Sequence, residues 1–156
     1  MRKWTKTLYF GFYLTAIAFA TVQRAEATLG ESEDSVESDR KAFAAVWHAA
    51  VTRNGYTVQE IKSAVNVVRE YISPSGVIFA IAWNGVSHPD LTTLLGTYAG
   101  EYERALRQTA RQKGKRYLQV RANRIVVEKW GHMRKLQGRA YIPSLIPSGV
   151  SANEIK

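Results

Sequence analysis

The chain has 156 residues, 46% hydrophobic and 22% charged, with no cysteine and a formal net charge of +9. That length and apolar content suit one domain with a real core and fall short of two ordinary ones. The absence of cysteine excludes disulfides and a lipid-modified cysteine, while the positive charge leaves nucleic acid and anionic surfaces both open until the compartment is read.

The N-terminus supplies the compartment. Arg2, Lys3 and Lys6 precede an apolar stretch over residues 8–22, and Ala25-Glu26-Ala27 then places small residues where a signal peptidase needs them. The stretch is shorter than the roughly 18–20 residues that cross a bilayer. The expectation is a signal peptide over residues 1–27, cut before Thr28, leaving residues 28–156 as a single exported α+β domain in the periplasm or outside the cell. After cleavage no transmembrane span remains. An uncleaved N-terminal anchor and an earlier cut after Ala20 are the alternatives. Cleavage removes four of the 22 basic and one of the 13 acidic residues, so the mature chain carries 18 against 12, or +6. Acids crowd its start (Glu31, Glu33, Asp34, Glu37, Asp39), whereas residues 104–139 hold twelve Lys or Arg and one acid, Glu128.

Residues 32–45 begin with a serine cap, put acids in the first turn and Arg40 and Lys41 later, which predicts a short N-terminal helix with a thin apolar face. "VWHAAVTRNGYTVQEI" places Asn54-Gly55 between two extended runs and predicts a hairpin. A third strand follows near residues 65–72. After the Ser73-Pro74-Ser75-Gly76 turn comes residues 77–83, apolar on both alternations, as in a strand covered on both faces. Pro89 and Asp90 then start a helix in which Leu91, Leu94, Leu95, Tyr98, Tyr102, Ala105 and Leu106 recur at helical spacing, stopped by Gly114. Three more strands are expected at residues 116–122, 124–130 and 133–141, separated by Asn123 and by Gly131-His132. The expected fold is an antiparallel sheet of six to seven strands curled around one long amphipathic helix, with the short N-terminal helix beside it. Residues 138–155 combine two prolines with Leu145, Ile146, Val150 and Ile155; prolines lower the entropy lost on fixing an extended segment, so this tail is expected to dock on the sheet or the helix.

"ATLGESEDSV", "REYISPSGVIFAIAWNG", "HPDLTTLLGTY" and "GHMRKLQGRAYIPSLIPSGVSANEI" together resemble a family of exported bacterial proteins known as domain of unknown function 2844. The resemblance runs over nearly the whole mature chain. It departs at Gly85-Val86, where the family tends to carry Gly-Pro. It implies export and a single domain, and brings no activity and no catalytic residues with it.

The residues themselves offer little chemistry of the enzymatic kind. Three histidines (His48, His88, His132), no cysteine and no close His-x-x-x-His spacing argue against a metal site, and no cofactor is indicated. His88-Pro89-Asp90 reads as a helix start; Ser73, Ser75 and Ser144 lack the Gly-x-Ser-x-Gly setting and read as turn serines. No pair of carboxylates stands out for acid-base work. The sharper signal lies in the last strands. Leu118, Val120 and Ala122 alternate with Tyr117, Gln119 and Arg121, and Leu136, Gly138, Ala140 and Ile142 alternate with Lys135, Gln137, Arg139 and Tyr141. One face is apolar and the other cationic and aromatic. Adding Arg116, Lys129 and Trp130 gives the candidate ligand-binding set, one able to attract an anionic polymer by charge and hold flat groups by stacking. The bland alternative is a solvated outer face whose charges discourage edge pairing. The export signal demotes nucleic acid. The expectation is therefore a non-enzymatic binding or assembly module of the bacterial envelope, with an anionic glycan, a lipid headgroup or an acidic envelope protein as partner; the alternative is a hydrolase acting on envelope polymers.

Overall fold

The computed structural model describes residues 29–32, 46–53, 55–110 and 114–156, with backbone alone for residues 46–49. The expected signal peptide and the expected N-terminal helix beyond Ser32 lie outside the described residues.

Among the described residues, seven strands form one sheet: β1 (Val46–Arg53), β2 (Tyr56–Lys62), β3 (Asn66–Ile72), β4 (Ile78–Gly85), β5 (Tyr117–Arg121), β6 (Val126–His132) and β7 (Lys135–Tyr141). Their order is β1-β2-β3-β4-β7-β6-β5, and every neighbouring pair is antiparallel. The first four strands form a meander. The chain then leaves for a helical excursion and returns as a second meander that seats β7 beside β4. The strands β1 and β5 are left at opposite edges, so the sheet is open and not curled around the helix as the sequence reading expected. Its two faces are covered by different parts of the chain, and neither needs closure to bury its apolar side chains.

One face packs against the helices. Asp90 caps α1 (Leu91–Leu95) by accepting from the Thr92 N–H at 2.9 Å, and its carboxyl is held below the usual range by hydrogen bonds from Thr92 and then Thr93. The expected long helix is interrupted. Gly96 takes φ +45° and a 3₁₀ turn, Gly96–Tyr98, links α1 to α2 (Ala99–Gln108). The helix also ends before Gly114: the Thr109 N–H donates to the Leu106 carbonyl and its hydroxyl takes the Ala105 carbonyl at 2.8 Å, which removes the acceptor a continuing turn would use. Leu94, Leu95, Ala99 and Tyr102 bury against Ile61, Val68, Ile81, Trp83, Val120 and Val127 of the sheet. Leu29 is fully buried in the same cluster, its N–H donating to the Leu94 carbonyl at 3.3 Å.

The other face carries a second cluster of Tyr56, Tyr71, Phe79, Ala80, Ala82, Val126 and Tyr141. A bulge in β4 makes this possible: Ile72 pairs with Ile78 and Tyr71 with Ala80, so Phe79 is the extra residue and joins Ala80 on one side. The C-terminal tail crosses this face. Ile155 is fully buried in the cluster, with Ile146, Val150 and Ala152 packed around it. Burial of a side chain of that size contributes about 1.5–3 kcal/mol. Ser151 and Glu154 close a reciprocal cap around the last 3₁₀ turn, Ala152–Glu154. Leu145, which the sequence reading grouped with the docking residues, is instead 38% exposed.

The turn between β6 and β7 also differs from expectation. Gly131 and His132 belong to β6, paired with Leu136 and Lys135, and the turn is Met133-Arg134, with φ values of +38° and +62°. Glycine is needed at 131 for a different reason: a Cβ there would lie 2.0 Å from the Lys135 carbonyl oxygen.

Candidate functional site

Antiparallel register assembles the site on the face opposite the helices. Tyr117 pairs with Trp130 and Trp130 with Gln137; Gln119 pairs with Glu128 and Glu128 with Arg139. Cross-strand partners share a face, so the alternation that separates polar from apolar residues along β5, β6 and β7 brings these six side chains together.

Glu128 is the centre of the arrangement. It is 4% exposed and accepts from the Tyr117 hydroxyl at 3.0 Å, from Gln119 Nε2 at 2.6 Å and from Arg139 Nε. Burial acts to raise the Glu128 pKa, but hydrogen bonds from Arg139, Tyr117 and Gln119, with the guanidinium charge, outweigh it and hold the carboxyl below the usual value. Burial, and after it the Glu128 carboxylate, pushes the hydroxyls of Tyr117 and Tyr141 up. Both phenols therefore stay protonated, and Tyr117 donates to Glu128.

Arg139 ties the sheet to the tail. Besides Glu128 it donates through one terminal nitrogen to the Ala152 carbonyl at 2.5 Å and the Ile155 carbonyl at 3.3 Å, with its guanidinium carbon 6.0 Å from the Trp130 ring centroid and 5.8 Å from that of Tyr141. Lys156 is held further along: its N–H donates to the Tyr71 hydroxyl, which donates back to the Lys156 carbonyl, both at 2.8 Å.

Two clefts of about 660 Å³ flank the tail. One lies toward β2 and β3, between Arg53, Tyr56, Glu60 and Glu154. The other is a groove over β7, β6 and β5, with Trp130 and Tyr117 on one side, Asn153 and Lys156 on the other, and Gln137, Arg139 and Glu128 in the floor. The Trp130 indole is fixed by donating to Gln137 Oε1 at 2.6 Å. Tyr117 is 49% exposed. The groove thus offers aromatic planes, amides and three cations (Arg69, Arg139, Lys156) against one carboxylate, with Arg69 itself paired to Glu60 at 2.8 Å.

The sequence-derived set divides. Tyr117, Trp130 and Arg139 meet in the groove; Arg121 lies further along β5, its Nε donating to Gln119 Oε1 at 3.3 Å, and Lys135 is exposed at the start of β7. Tyr141 is buried beneath Arg139 as part of the second cluster and offers no open ring face for stacking. Lys129 points the other way, because it neighbours Trp130 on one strand: its Nζ lies 5.5 Å from the Tyr102 ring centroid on the helix side. Arg116 is exposed and precedes β5. Sequence reasoning missed the contribution of Asn84, Gln137 and the tail residues Asn153 and Lys156; the register of Gln137 opposite Trp130 follows only once the β6–β7 turn is placed correctly. On the helix side, His88 Nδ1 accepts from the Trp83 indole at 3.0 Å, and burial, then Lys129, lowers its pKa. Among the described residues no group of three or more His, Cys, Asp or Glu could hold a metal ion, and no helix is long and apolar enough to cross a membrane.

Residues 25–155 match the family described as "Protein of unknown function (DUF2844)". No curated protein matches the chain. Among solved structures, the crystal structure of a cysteine-rich secretory protein (SAV1118) from Staphylococcus aureus subsp. aureus Mu50 is similar at 10% identity and a TM-score of 0.44; the match covers 75% of this chain and 44% of that one, so this chain spans less than half of that protein.

Proposed function

Because the chain belongs to the DUF2844 family, whose description carries no activity, we propose from the groove alone that it is an exported envelope-binding module that holds an anionic glycan strand beside its C-terminal tail. The observation that carries this reading is the pairing of the Trp130 and Tyr117 rings with amides and an excess of cations along one groove. Sugar rings stack on aromatic planes, amides bond their hydroxyls, and Arg69 and Lys156 meet their carboxylates. Residues 1–27 deliver the module to the envelope or the medium, and its chemistry is recognition without turnover.

The hydrolase reading has one observation in its favour, a buried carboxylate in a groove. Glycoside hydrolysis generally takes two carboxyl groups, one of them a proton donor. Among the described residues Glu128 is the one carboxylate side chain lining the groove and is held ionised by three donors, which suits an orienting and charge-balancing role better than proton transfer.

The test is retention of protein purified after export of the full chain on an immobilised acidic polysaccharide such as polygalacturonate. Retention is expected at low salt, falling as salt rises, since exposed charges are screened over about 8–10 Å at ordinary ionic strength. Trp130→Ala should reduce it, and so should Lys156→Gln, both residues lining the groove. Equal retention of all variants removes the binding reading, and release of reducing ends by wild type but not by Glu128→Gln replaces it with the hydrolase.

A further inference from the structure

We propose that the end of the sheet carrying the β6–β7 turn is a docking surface for an anionic lipid bilayer. The first observation is Met133. It is 90% exposed at the tip of the turn, and it and Arg134 occupy left-handed backbone, φ +38° and +62°. Two-residue hairpin turns of this kind favour Asn-Gly, because Cβ-bearing side chains are strained there. The protein carries that strain and in return presents a long apolar and a long cationic side chain, both exposed, at the tip of the turn. Local strain retained at an exposed tip points to a task for the side chains held there.

The second observation is what shares this end of the sheet. The pairs His132–Lys135, Gly85–Leu136, Asn66–Gly85 and Lys62–Val67 bring the β2–β3 turn, the end of β4 and the β6–β7 turn to one rim. The Val86 N–H donates to the Val65 carbonyl at 3.0 Å, so these two stand side by side, 48% and 49% exposed. Exposed Lys62, Arg134 and Lys135, with Arg116 just before β5, lie along the same end of the sheet. The cation-carboxylate pairs among the described residues engage Arg69, Arg107, Arg124 and Arg139 instead. Residues 62–66, 84–88, 114–117 and 131–136 include no Asp or Glu.

Apolar side chains on separate turns, ringed by cations, suit insertion at the headgroup boundary: Met133, Val65 and Val86 reach the acyl edge while the lysines and arginines meet phosphates. They give too little continuous apolar area for the packed centre of a protein interface. Neither signal suffices alone, and weak apolar insertion with a polybasic ring is the combination that makes peripheral binding stable. Tyr117 and Trp130 form the last register pair before this rim on β5 and β6, so the groove faces the space just above the membrane. Met133, Val65, Val86, Lys62, Arg134 and Lys135 lie outside the lining of the groove, so the rim can bind a bilayer whether or not the groove takes a glycan.

The experiment is flotation of protein purified after export with vesicles of phosphatidylcholine alone or mixed with phosphatidylglycerol. Binding to the mixed vesicles, reversed by salt, is expected. Arg134→Gln with Lys135→Gln should weaken it roughly 25-fold, at about fivefold for each charge, and Met133→Asn roughly tenfold. Met133→Asn also relieves the turn, so its melting temperature should hold or rise while vesicle binding falls; a merely structural role for Met133 would not move the two apart. Any residue of the N-terminal segment left uncleaved contributes equally to every variant. Absence of binding to mixed vesicles at low salt, or binding that neither variant alters, overturns the proposal. Capture of an exported protein that Met133→Asn loses, without vesicle binding, also overturns it and assigns the rim to a protein partner.

Discussion

Ile155 lies in the C-terminal tail and is fully buried among Tyr56, Tyr71, Phe79, Ala80 and Ala82. Ile155→Ala removes three carbons from that site. Large-to-small substitutions of this kind cost about 2–5 kcal/mol, depending on how far the surroundings collapse. Here collapse is limited. The backbone on either side is fixed by Arg139 on the Ala152 and Ile155 carbonyls and by Tyr71 on Lys156, and the apolar wall belongs to the sheet. A loss of about 2–4 kcal/mol follows, and at about 4 °C per kcal/mol for a domain of this size the melting temperature should drop by roughly 8–16 °C. Leu145→Ala deletes a side chain of the same size from a position 38% exposed and should cost less, about 1–2 kcal/mol. Thermal melts by circular dichroism on the two variants make the comparison. Equal melting temperatures for Ile155→Ala and wild type would refute the docking of the tail and with it the wall of the groove.

Glu128→Gln strands a guanidinium that is mostly buried and should destabilise by about 3 kcal/mol at neutral pH, read by denaturant titration. The depressed Glu128 pKa also has a pH signature: its stabilisation is present above the usual carboxylate value of 4.5 and is lost as pH falls through the lower folded value, so the wild-type melting temperature should fall steeply below about pH 4.5 and the variant's less so. At His88 the fold favours the neutral ring, so its contribution is complete above 6.5 and declines as pH drops below that; the melting temperature of wild type should fall between about pH 7.5 and pH 5.5 relative to His88→Gln, whose carbonyl can still accept from the Trp83 indole. Gly138→Ala places a Cβ 2.3 Å from the Trp83 ring and 2.6 Å from the Glu128 carbonyl oxygen, and should cost about 1–3 kcal/mol through overpacking, seen as a lower denaturant midpoint.

The strands were legible because their periods are strong. Residues 77–83 are apolar on both alternations, and the structure covers that strand on both faces, with Trp83 and Ile81 toward the helices and Phe79 and Ala80 toward the tail. The alternation in β5 and β7 likewise separates the two faces as read. Three features were not legible. Gly131 looked like a turn residue because glycine is the usual turn signal, but it serves close backbone approach within β6, and the turn fell on Met133-Arg134, which no propensity marks. Lys129 was grouped with Trp130 by charge and proximity, against the alternation that sends neighbours to opposite faces. Arg139 read as an open cation because its partner is eleven residues away in sequence; only the register puts Glu128 against it. The open sheet follows from the same kind of long-range fact. The apolar residues of the proline-containing tail revealed that it would dock, but not that it would take the second face of the sheet and leave the sheet open.

The central claim is that the groove beside Trp130 receives an acidic glycan. It is tested most directly by nuclear magnetic resonance titration of nitrogen-labelled protein, purified after export, with an oligogalacturonate of a few units. The account predicts that the Trp130 indole N–H and the Gln137 side-chain amide shift together and saturably, while the backbone amides of Leu94 and Leu95, buried on the helix side, stay in place. No shift at Trp130 up to millimolar ligand, or shifts confined to the helix face, would contradict it.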